Sequence, residues 1–482
     1  MSRLLILLGF MGILLSHSAH TAEMVNVEYI HLLIEQKWGV SIPYNPSVTN
    51  PKVAANMEYL LGMVDITNKR LNGTATTDYL HSEYATKQAA DTDASIDATN
   101  RLIKIESKFF VTTTNDTAEF EFTMSARGTF QIEWGDGTKD IIKRTNTTET
   151  AYRHTYATAG AHTIGIGGRA TGYGTSYNAV AISFASNKNV AGISGSLGAV
   201  FATVGDGRVN GQQPRFYQTF YNCTNLAGDI PGDLFAGVSG VAVQYMFFCT
   251  FDGCSNLTSI PETLFAEISG APAYHMFFGT FAGCSNLTSI PENLFAGISG
   301  APASNMFGGT FAGCCNLTTI PANLFAGIKG APATYMFQRT FEGCRSLTSI
   351  PEGLFAGIKG APAGNMFYRT FFGCSNLTSI PENLFAGIFG APADSMFSHT
   401  FYNCGKLTSI PEKLFGNISG MARTFMFGDM FYGCTSLAGL SARINGKYLY
   451  EIWPDANTEH VVGCYSGDTN LDDYTSIPAE WK

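Results

Sequence analysis

The chain has 482 residues, of which 45% are hydrophobic and only 14% are charged, and it contains 52 glycines. This composition excludes an intrinsically disordered protein, and the length exceeds what one hydrophobic core usually serves, so several domains or a repeat array are expected. The net charge is −9 and no basic run occurs, which argues against nucleic acids and anionic membranes as partners.

Residues 1–22 have the features of a secretory signal peptide. Arg3 precedes an apolar stretch from Leu4 to Leu15, which is too short to span a bilayer as a mature helix. Small residues follow, and cleavage is expected after Ala22. Because no second long apolar run occurs, we expect a secreted or cell-surface protein without a transmembrane segment.

Residues 23–106 are interpreted as a helical N-terminal or stalk segment. Apolar residues recur at helical spacing within 27–38 and 51–71. Between 87 and 105 they follow a short heptad-like pattern. Such a helix would permit oligomerisation, and a solvated single helix explains the pattern equally well.

From about residue 107 the hydrophobic period changes to two, which predicts β-strands. The segments 120–124, 129–134 and 161–167 alternate in this way. Between the second and third of them, the run Gly135-Asp136-Gly137-Thr138 is typical of a hairpin turn, because Asp-Gly tolerates positive φ.

The segments WGDGT at 134–138 and RHTYATAGAHTI at 153–164 resemble the core of PKD-like, immunoglobulin-type domains. The resemblance implies a small β-sandwich over residues 107–169. In that family the matching residues build the sandwich and do not catalyse, and a lone Asp in a hairpin turn is more often part of the turn than a calcium ligand. The matching residues are Trp134, Asp136, Gly137, His154, Tyr156 and Gly160.

Residues 220–440 form a repeat array of about seven units of thirty residues. A fixed period of this length is typical of a solenoid, in which each unit is stable only when its neighbours cover it. The Gly/Ser-rich residues 170–219 are interpreted as an irregular N-terminal cap. Residues 441–482, where the pattern degrades, are interpreted as the C-terminal cap.

The sequence pattern of one unit predicts a short strand followed by two helices. The β-prone run 287–290 ends at Pro291, a short helix is expected over 294–298, and a second helix is expected from Ala303 into the next unit. Comparison of the copies separates a constant set of residues from a variable set, which we interpret as the buried and exposed faces of the second helix. The constant set includes Met276, Phe277, Thr280, Phe281 and Cys284.

The cysteines are expected to be structural. Seven of them, from Cys254 to Cys434, recur at intervals of thirty residues. Helical layers pack about 8–10 Å apart, whereas a disulfide needs α-carbons within about 7 Å, so this column is interpreted as small buried hydrophobic residues. A disulfide among Cys223, Cys249 and Cys254 is left open by the sequence.

The repeated pattern MFxxTFxGCxNLTSIPxxLF resembles bacterial leucine-rich repeats of the BspA-like surface-protein type. The resemblance implies an α/β leucine-rich-repeat solenoid, with a parallel sheet on one face and helices on the other. It also implies a role in adhesion and in binding to a host or matrix. The expected fold is therefore multidomain, with a helical N-terminal segment, a PKD-like sandwich and the solenoid.

The sequence contains no recognisable catalytic site. The motifs His-Glu-x-x-His and Gly-x-Ser-x-Gly, the P-loop and paired Cys-x-x-Cys do not occur. We therefore expect no enzyme activity, cofactor or metal ion.

Aromatic and arginine residues in the variable set are the candidate binding residues, because such side chains are the usual anchors of binding surfaces. Single exposed aromatic residues are also ordinary on protein surfaces. The candidates are Tyr274, Phe278, Tyr335, Arg339, Tyr368, Arg369, Phe372, Tyr402, Phe425 and Tyr432.

The expected function is recognition of a protein or glycan on a host, a matrix or a neighbouring cell by an exported protein. The alternatives are an accessory part of a carbohydrate-active system and a structural stalk or filament subunit.

Overall fold

The computed structural model describes residues 107–204 and 213–482, so the expected signal peptide and N-terminal helical segment lie outside the described residues. The described chain consists mostly of antiparallel β-sheets and stacked turns, with few helices. In this part of the chain, no helix has the length and apolar character needed to cross a bilayer.

Eight strands form the sheets that precede the repeats. They are β1 (Ser107–Thr113), β2 (Thr117–Met124), β3 (Arg127–Glu133), β4 (Lys139–Arg144), β5 (Thr150–Gly160), β6 (Thr163–Gly172), β7 (Ile182–Ser183) and β8 (Val190–Gly195). Strands predicted at 120–124, 129–134 and 161–167 are thus confirmed as β2, β3 and β6. β3 and β4 pair as a hairpin around the predicted turn.

Two open antiparallel sheets share one core. The first has five strands in the order β4-β3-β6-β1-β8, and the second has three in the order β5-β2-β7. Val111 of β1 lies opposite Ile164 and Ile193, and all three pack within or against the core. Because β7 and β8 pair with β2 and β1, the sheets continue to Gly195, into the segment interpreted as an irregular cap.

The repeats fold as stacked turns joined by backbone hydrogen bonds. Between Asn305 and Gly313 every second N–H donates to a carbonyl of the next turn, as from Phe307 to Met336 at 3.2 Å. The intervening N–H groups donate three residues back within their own turn, as from Thr310 to Phe307 at 3.2 Å. Every fourth residue is left-handed, with φ of 55° at Asn305 and 59° at Gly309.

The predicted repeat helices, and with them the α/β class, are wrong. Residues 220–440 are all described and contain no helix. A left-handed residue at every fourth position cannot continue an α-helix, and half of the N–H groups bond to the next turn rather than within the segment. The spacing of Met306, Thr310 and Cys314 comes from consecutive β-turns of four residues.

The β-strands within the array are short and pair in parallel. The strands are β9 (Gly228–Asp229), β10 (Gly240–Val241), β11 (Leu257–Ser259) and β12 (Ile268–Ser269). β11 pairs with β9 and β12 with β10, and later turns continue as single bridges such as the one between Gly300 and Ile328.

Stacked phenylalanine rings fill the interior of the array. Phe277 and Phe307 have centroids 5.7 Å apart and planes 6° apart, and the column of Phe281 repeats this geometry at 5.8 Å. Phe295 belongs to a third column and contacts Phe307 at 4.9 Å. All of these side chains are buried, and burial had been predicted for Phe277 and Phe281, which belong to the constant set.

All eleven cysteines lie in the described chain and are free, so the disulfide considered for Cys223, Cys249 and Cys254 does not form. The thirty-residue column is buried, in agreement with its interpretation as a structural column.

Both ends of the array are covered. At the start, Phe184, which follows β7, stacks on Phe220 at 5.5 Å, so the core of the sheets continues into the first turn. At the end, Tyr465 stacks on Phe431 at 5.8 Å and Trp481 contacts Phe427. The covering segment contains β13 (Arg443–Ile444), β14 (Lys447–Tyr448), α1 (Leu449–Ile452), α2 (Thr458–Val461) and the 3-10 turns Tyr474–Ser476 and Ala479–Trp481.

Candidate binding surface

Five positions of each turn form a surface that we call the variable face. They are the positions of Tyr274, His275, Phe278, Gly279 and Ala282, with their equivalents at thirty-residue intervals. Two of these positions, those of His275 and Gly279, have left-handed backbone in turn after turn. The variable face is therefore made by the β-turns themselves rather than by one side of a helix.

Large or charged side chains occupy many of these positions, and the tyrosines, arginines and phenylalanine among them rarely adopt positive φ. Asn305, Gly309 and Asn365 adopt positive φ readily, whereas a bulky residue costs about 1–2 kcal/mol there. The chain nonetheless places large or charged residues in the two columns. They are Tyr245, His275, Tyr335, Arg339, Arg369, His399, Phe425 and Asp429.

Tyr274 and Phe278 belong to an aromatic cluster at the N-terminal end of the face. The Phe278 ring stacks on Phe248 at 5.1 Å, and Phe248 stacks on Tyr217 at 4.8 Å. Tyr274 packs edge-on against His275 at 4.1 Å. Burial lowers the pKa of His275 to about 4, so its ring is uncharged near neutral pH.

Phe372, Tyr402 and Tyr432 form a second cluster, an aromatic ladder on the C-terminal half of the face. Their ring centroids are 4.7 and 4.6 Å apart and their planes lie within 9°. The guanidinium of Arg369 lies over Phe372 at 4.6 Å and over Tyr368 at 5.4 Å. Five candidate residues therefore meet in one place.

The second cluster carries opposite charges. Glu342 Oε2 lies 3.1 Å from Arg339 Nε, and Glu342 Oε1 lies 3.8 Å from Arg369 Nη1. Burial raises the pKa of Glu342, and the two arginines oppose this shift. The pKa of His399 is lowered to about 4, first by burial and then by Arg369, although its Nε2 lies 3.5 Å from Asp429.

The candidates do not form a single patch. Tyr335 and Phe425 are 36% and 42% exposed, and neither makes a ring contact within the described chain. Small residues such as Gly309 lie between the two clusters.

Several residues of the clusters were not among the candidates. Tyr217, Tyr245, Phe248, His275, Glu342 and His399 occupy the variable face. The thirty-residue period could have identified them, because most of them lie thirty or sixty residues from a candidate residue. The extra residue in the first unit obscured the position of Tyr217.

The residues of the PKD-like motif make a structural network. Asp136 Oδ1 accepts from Thr138 N at 2.9 Å, and Asp136 Oδ2 lies 2.8 Å from His154 Nε2. Hydrogen bonds from Thr138 and His154 hold the pKa of Asp136 well below its usual range. Tyr156 donates to the carbonyl of Trp134 at 2.8 Å. The Asp136 carboxylate thus stabilises its own turn through these hydrogen bonds.

Within the described chain, no group of three or more His, Cys, Asp or Glu side chains could hold a metal ion. Stacked rings, guanidinium groups and exposed hydroxyls are instead suited to non-covalent recognition. Comparisons with protein-family models, with curated proteins and with solved structures found no match.

Proposed function

We propose that the chain is an exported, non-enzymatic binding protein, in which a leucine-rich-repeat-like solenoid recognises a protein or a glycan through the variable face. A PKD-like sandwich and a helical segment would precede the solenoid. Export rests on the signal-like residues 1–22, and the resemblance to BspA-like repeats supports a role in adhesion.

The strained backbone of the variable face carries the proposal. Neighbouring turns show that asparagine and glycine fill the same positions at low cost, yet Tyr335 and Arg339 take them with φ of 59° and 55°. Tyr335 remains partly exposed without a ring contact in the described chain. Strain that the fold does not repay is expected where side chains serve a binding partner.

The experiment exploits the repeats themselves. In a double variant, Tyr335→Asn with Arg339→Gly, each residue is replaced by the one found thirty residues earlier, at Asn305 and Gly309. The wild-type chain would be tested against panels of matrix proteins and glycans. We expect the double variant to keep its thermal stability and to lose at least about tenfold in affinity for whatever the wild type binds.

A matched control carries Thr348→Ala with Ser349→Ala, two exposed residues of the same turn outside the variable face. This control should bind like the wild type. Equal binding by all three proteins, or no binding by the wild type to any member of either panel, would contradict the proposal.

A further inference from the structure

Arg369 occupies an unusual place on the variable face. Its backbone has φ of 57°, and glycine holds the equivalent position in two earlier turns, at Gly279 and Gly309. Its side chain is only 25% exposed, and the guanidinium lies against the rings of Phe372 and Tyr368. A strained, three-quarters-buried cation therefore lies at a position that two earlier turns fill with glycine.

The fold leaves this cation incompletely paired. Arg369 Nε is buried without a hydrogen-bond partner, and the described residues provide no hydrogen bond to the other N–H groups. The nearest carboxylate, Glu342, is 3.8 Å away and is shared with Arg339 at 3.1 Å. A guanidinium has five donors in a planar fork, and desolvating them without acceptors is costly.

The missing acceptor defines the ligand. Because Nε is buried, an outside acceptor would meet the two Nη groups. A carboxylate matches that end of the guanidinium with two parallel hydrogen bonds, and such charge-assisted pairs are stronger than neutral ones. The ladder of Phe372, Tyr402 and Tyr432 lies beside it and presents ring edges and hydroxyls. Apolar atoms of the ligand next to its carboxylate would pack against these rings.

The composition of the face favours a protein over a polyanionic glycan. Between positions 244 and 432, the residues of the variable face include several tyrosines and phenylalanines, two arginines and no lysine. Protein interfaces show the same enrichment in aromatic residues and arginine and the same depletion of lysine. Glu342 lies 3.8 Å from Arg369, Asp429 lies 3.5 Å from His399 on the same face, and the whole chain carries −9, so a densely charged anion would be repelled.

We infer that Arg369 is the carboxylate-binding residue of the variable face and receives an Asp or Glu side chain of a protein partner, whose apolar atoms lie on the Phe372, Tyr402 and Tyr432 ladder. This inference rests on the proposed function and specifies its chemistry. Arg339 forms an ion pair with the same glutamate, since its Nε lies 3.1 Å from Glu342 Oε2.

The test uses small probes on the full chain. Saturation-transfer NMR would compare sodium benzoate, which combines a ring with a carboxylate, with benzamide, its neutral counterpart. Wild type should bind benzoate at millimolar concentration and benzamide at least about tenfold more weakly. Arg369→Lys, which keeps the charge but removes the fork, should weaken benzoate binding at least about tenfold.

Arg423→Lys is the matched control, because Arg423 lies on the same array but is paired with Asp394 at 3.2 Å. It should bind benzoate like the wild type, and thermal unfolding would verify that all three proteins are folded. Equal binding of benzoate and benzamide, or no effect of Arg369→Lys, would overturn the inference. Either result would leave the proposed function standing, since that is tested separately by the Tyr335 and Arg339 double variant.

Discussion

At the scale of single residues, the repeated threonines and cysteines act as hydrogen-bond donors inside the core. Thr310 Oγ1 donates to the Phe277 carbonyl at 3.0 Å, and Cys314 Sγ donates to the Phe281 carbonyl at 3.2 Å. The same bonds recur thirty residues later, as at Cys344. The interpretation of the cysteines as small hydrophobic residues was therefore incomplete, because alanine would fill the space without satisfying the carbonyl.

Thiol reactivity tests this arrangement. Burial raises the pKa of Cys344 well above its usual range, and ten of the eleven cysteines are buried, whereas Cys315 is partly exposed. We expect Ellman's reagent to modify about one thiol rapidly in the native protein and eleven after unfolding without reductant. A Cys315→Ser variant should abolish the rapid reaction. Fewer than eleven reactive thiols in denaturant would reveal a disulfide that the structure lacks.

A buried acid makes the stability depend on pH. Asp468 is 0% exposed, and burial raises its pKa to about 8 against a smaller opposing effect of the Cys434 backbone. An unfolded Asp titrates near 4, so between pH 4 and 8 only the folded state holds this proton. Its contribution to the free energy of unfolding is thus complete below pH 4 and is lost as the pH rises to 8, by at most about 1.4 kcal/mol per unit.

Denaturant titrations at several pH values would compare the wild type with Asp468→Asn, which cannot titrate. We expect the stability of the wild type relative to this variant to fall between pH 5 and 8. The exposed Asp455→Asn serves as the control and should track the wild type. Parallel curves for wild type and Asp468→Asn would show that the carboxyl is already ionised in the folded protein.

At the scale of the repeat element, four central turns place a glycine where the backbone closely approaches the preceding turn. A Cβ atom at Gly327 would lie 2.1 Å from the carbonyl oxygen of Ile298 in the preceding turn, although the φ of Gly327 is not in the left-handed region. The same contact recurs at Gly297, Gly357 and Gly387, at 2.1–2.2 Å. In these four turns the preceding turn leaves no space for a side chain.

Gly327→Ala should therefore force neighbouring turns apart and lower the free energy of unfolding by about 3 kcal/mol. Gly343→Ala is the control. Its nearest neighbour would be 3.8 Å away, but its φ is +71°, so only backbone strain of about 1 kcal/mol is expected. Chemical denaturation would measure both, and a Gly327→Ala variant as stable as Gly343→Ala would contradict the steric argument.

At the scale of the whole molecule, one core runs from the sheets to the C-terminal cap. The buried cluster begins at Phe109 in β1 and ends at Trp481. Between them each turn contacts mainly its two neighbours, so stability is a sum over turns and their interfaces. Because successive turns present the same ring columns, any turn can in principle stack on any other.

Excision of one complete turn tests this principle. Deleting residues 313–342 would bring Phe307 onto Phe367, a residue of the same column, so the variant should retain its circular dichroism and unfold cooperatively. Deleting only 313–327 removes half of a turn and misaligns every column, so this variant should fail to fold. A full-turn deletion as disruptive as the half-turn deletion would refute the additive description.

The sequence alone determined the thirty-residue period, the strands β2, β3 and β6, the β3–β4 hairpin turn and the constant, buried residues. These features depend on local alternation, turn chemistry and comparison of near-identical copies. Burial could be predicted without knowing the backbone, because four-residue β-turns and a 3.6-residue helix place Met306, Thr310 and Cys314 on one side in either case.

Only the tertiary structure decided between helix and stacked turns. The deciding hydrogen bonds join residues about thirty positions apart, such as Phe311 N to the Thr340 carbonyl at 2.9 Å, and no local pattern reveals them. The candidate binding surface was also predictable only in part. Its residue types were predictable from variation between copies. The strained backbone of Arg369 and the incomplete pairing of its guanidinium depend on contacts with neighbouring turns.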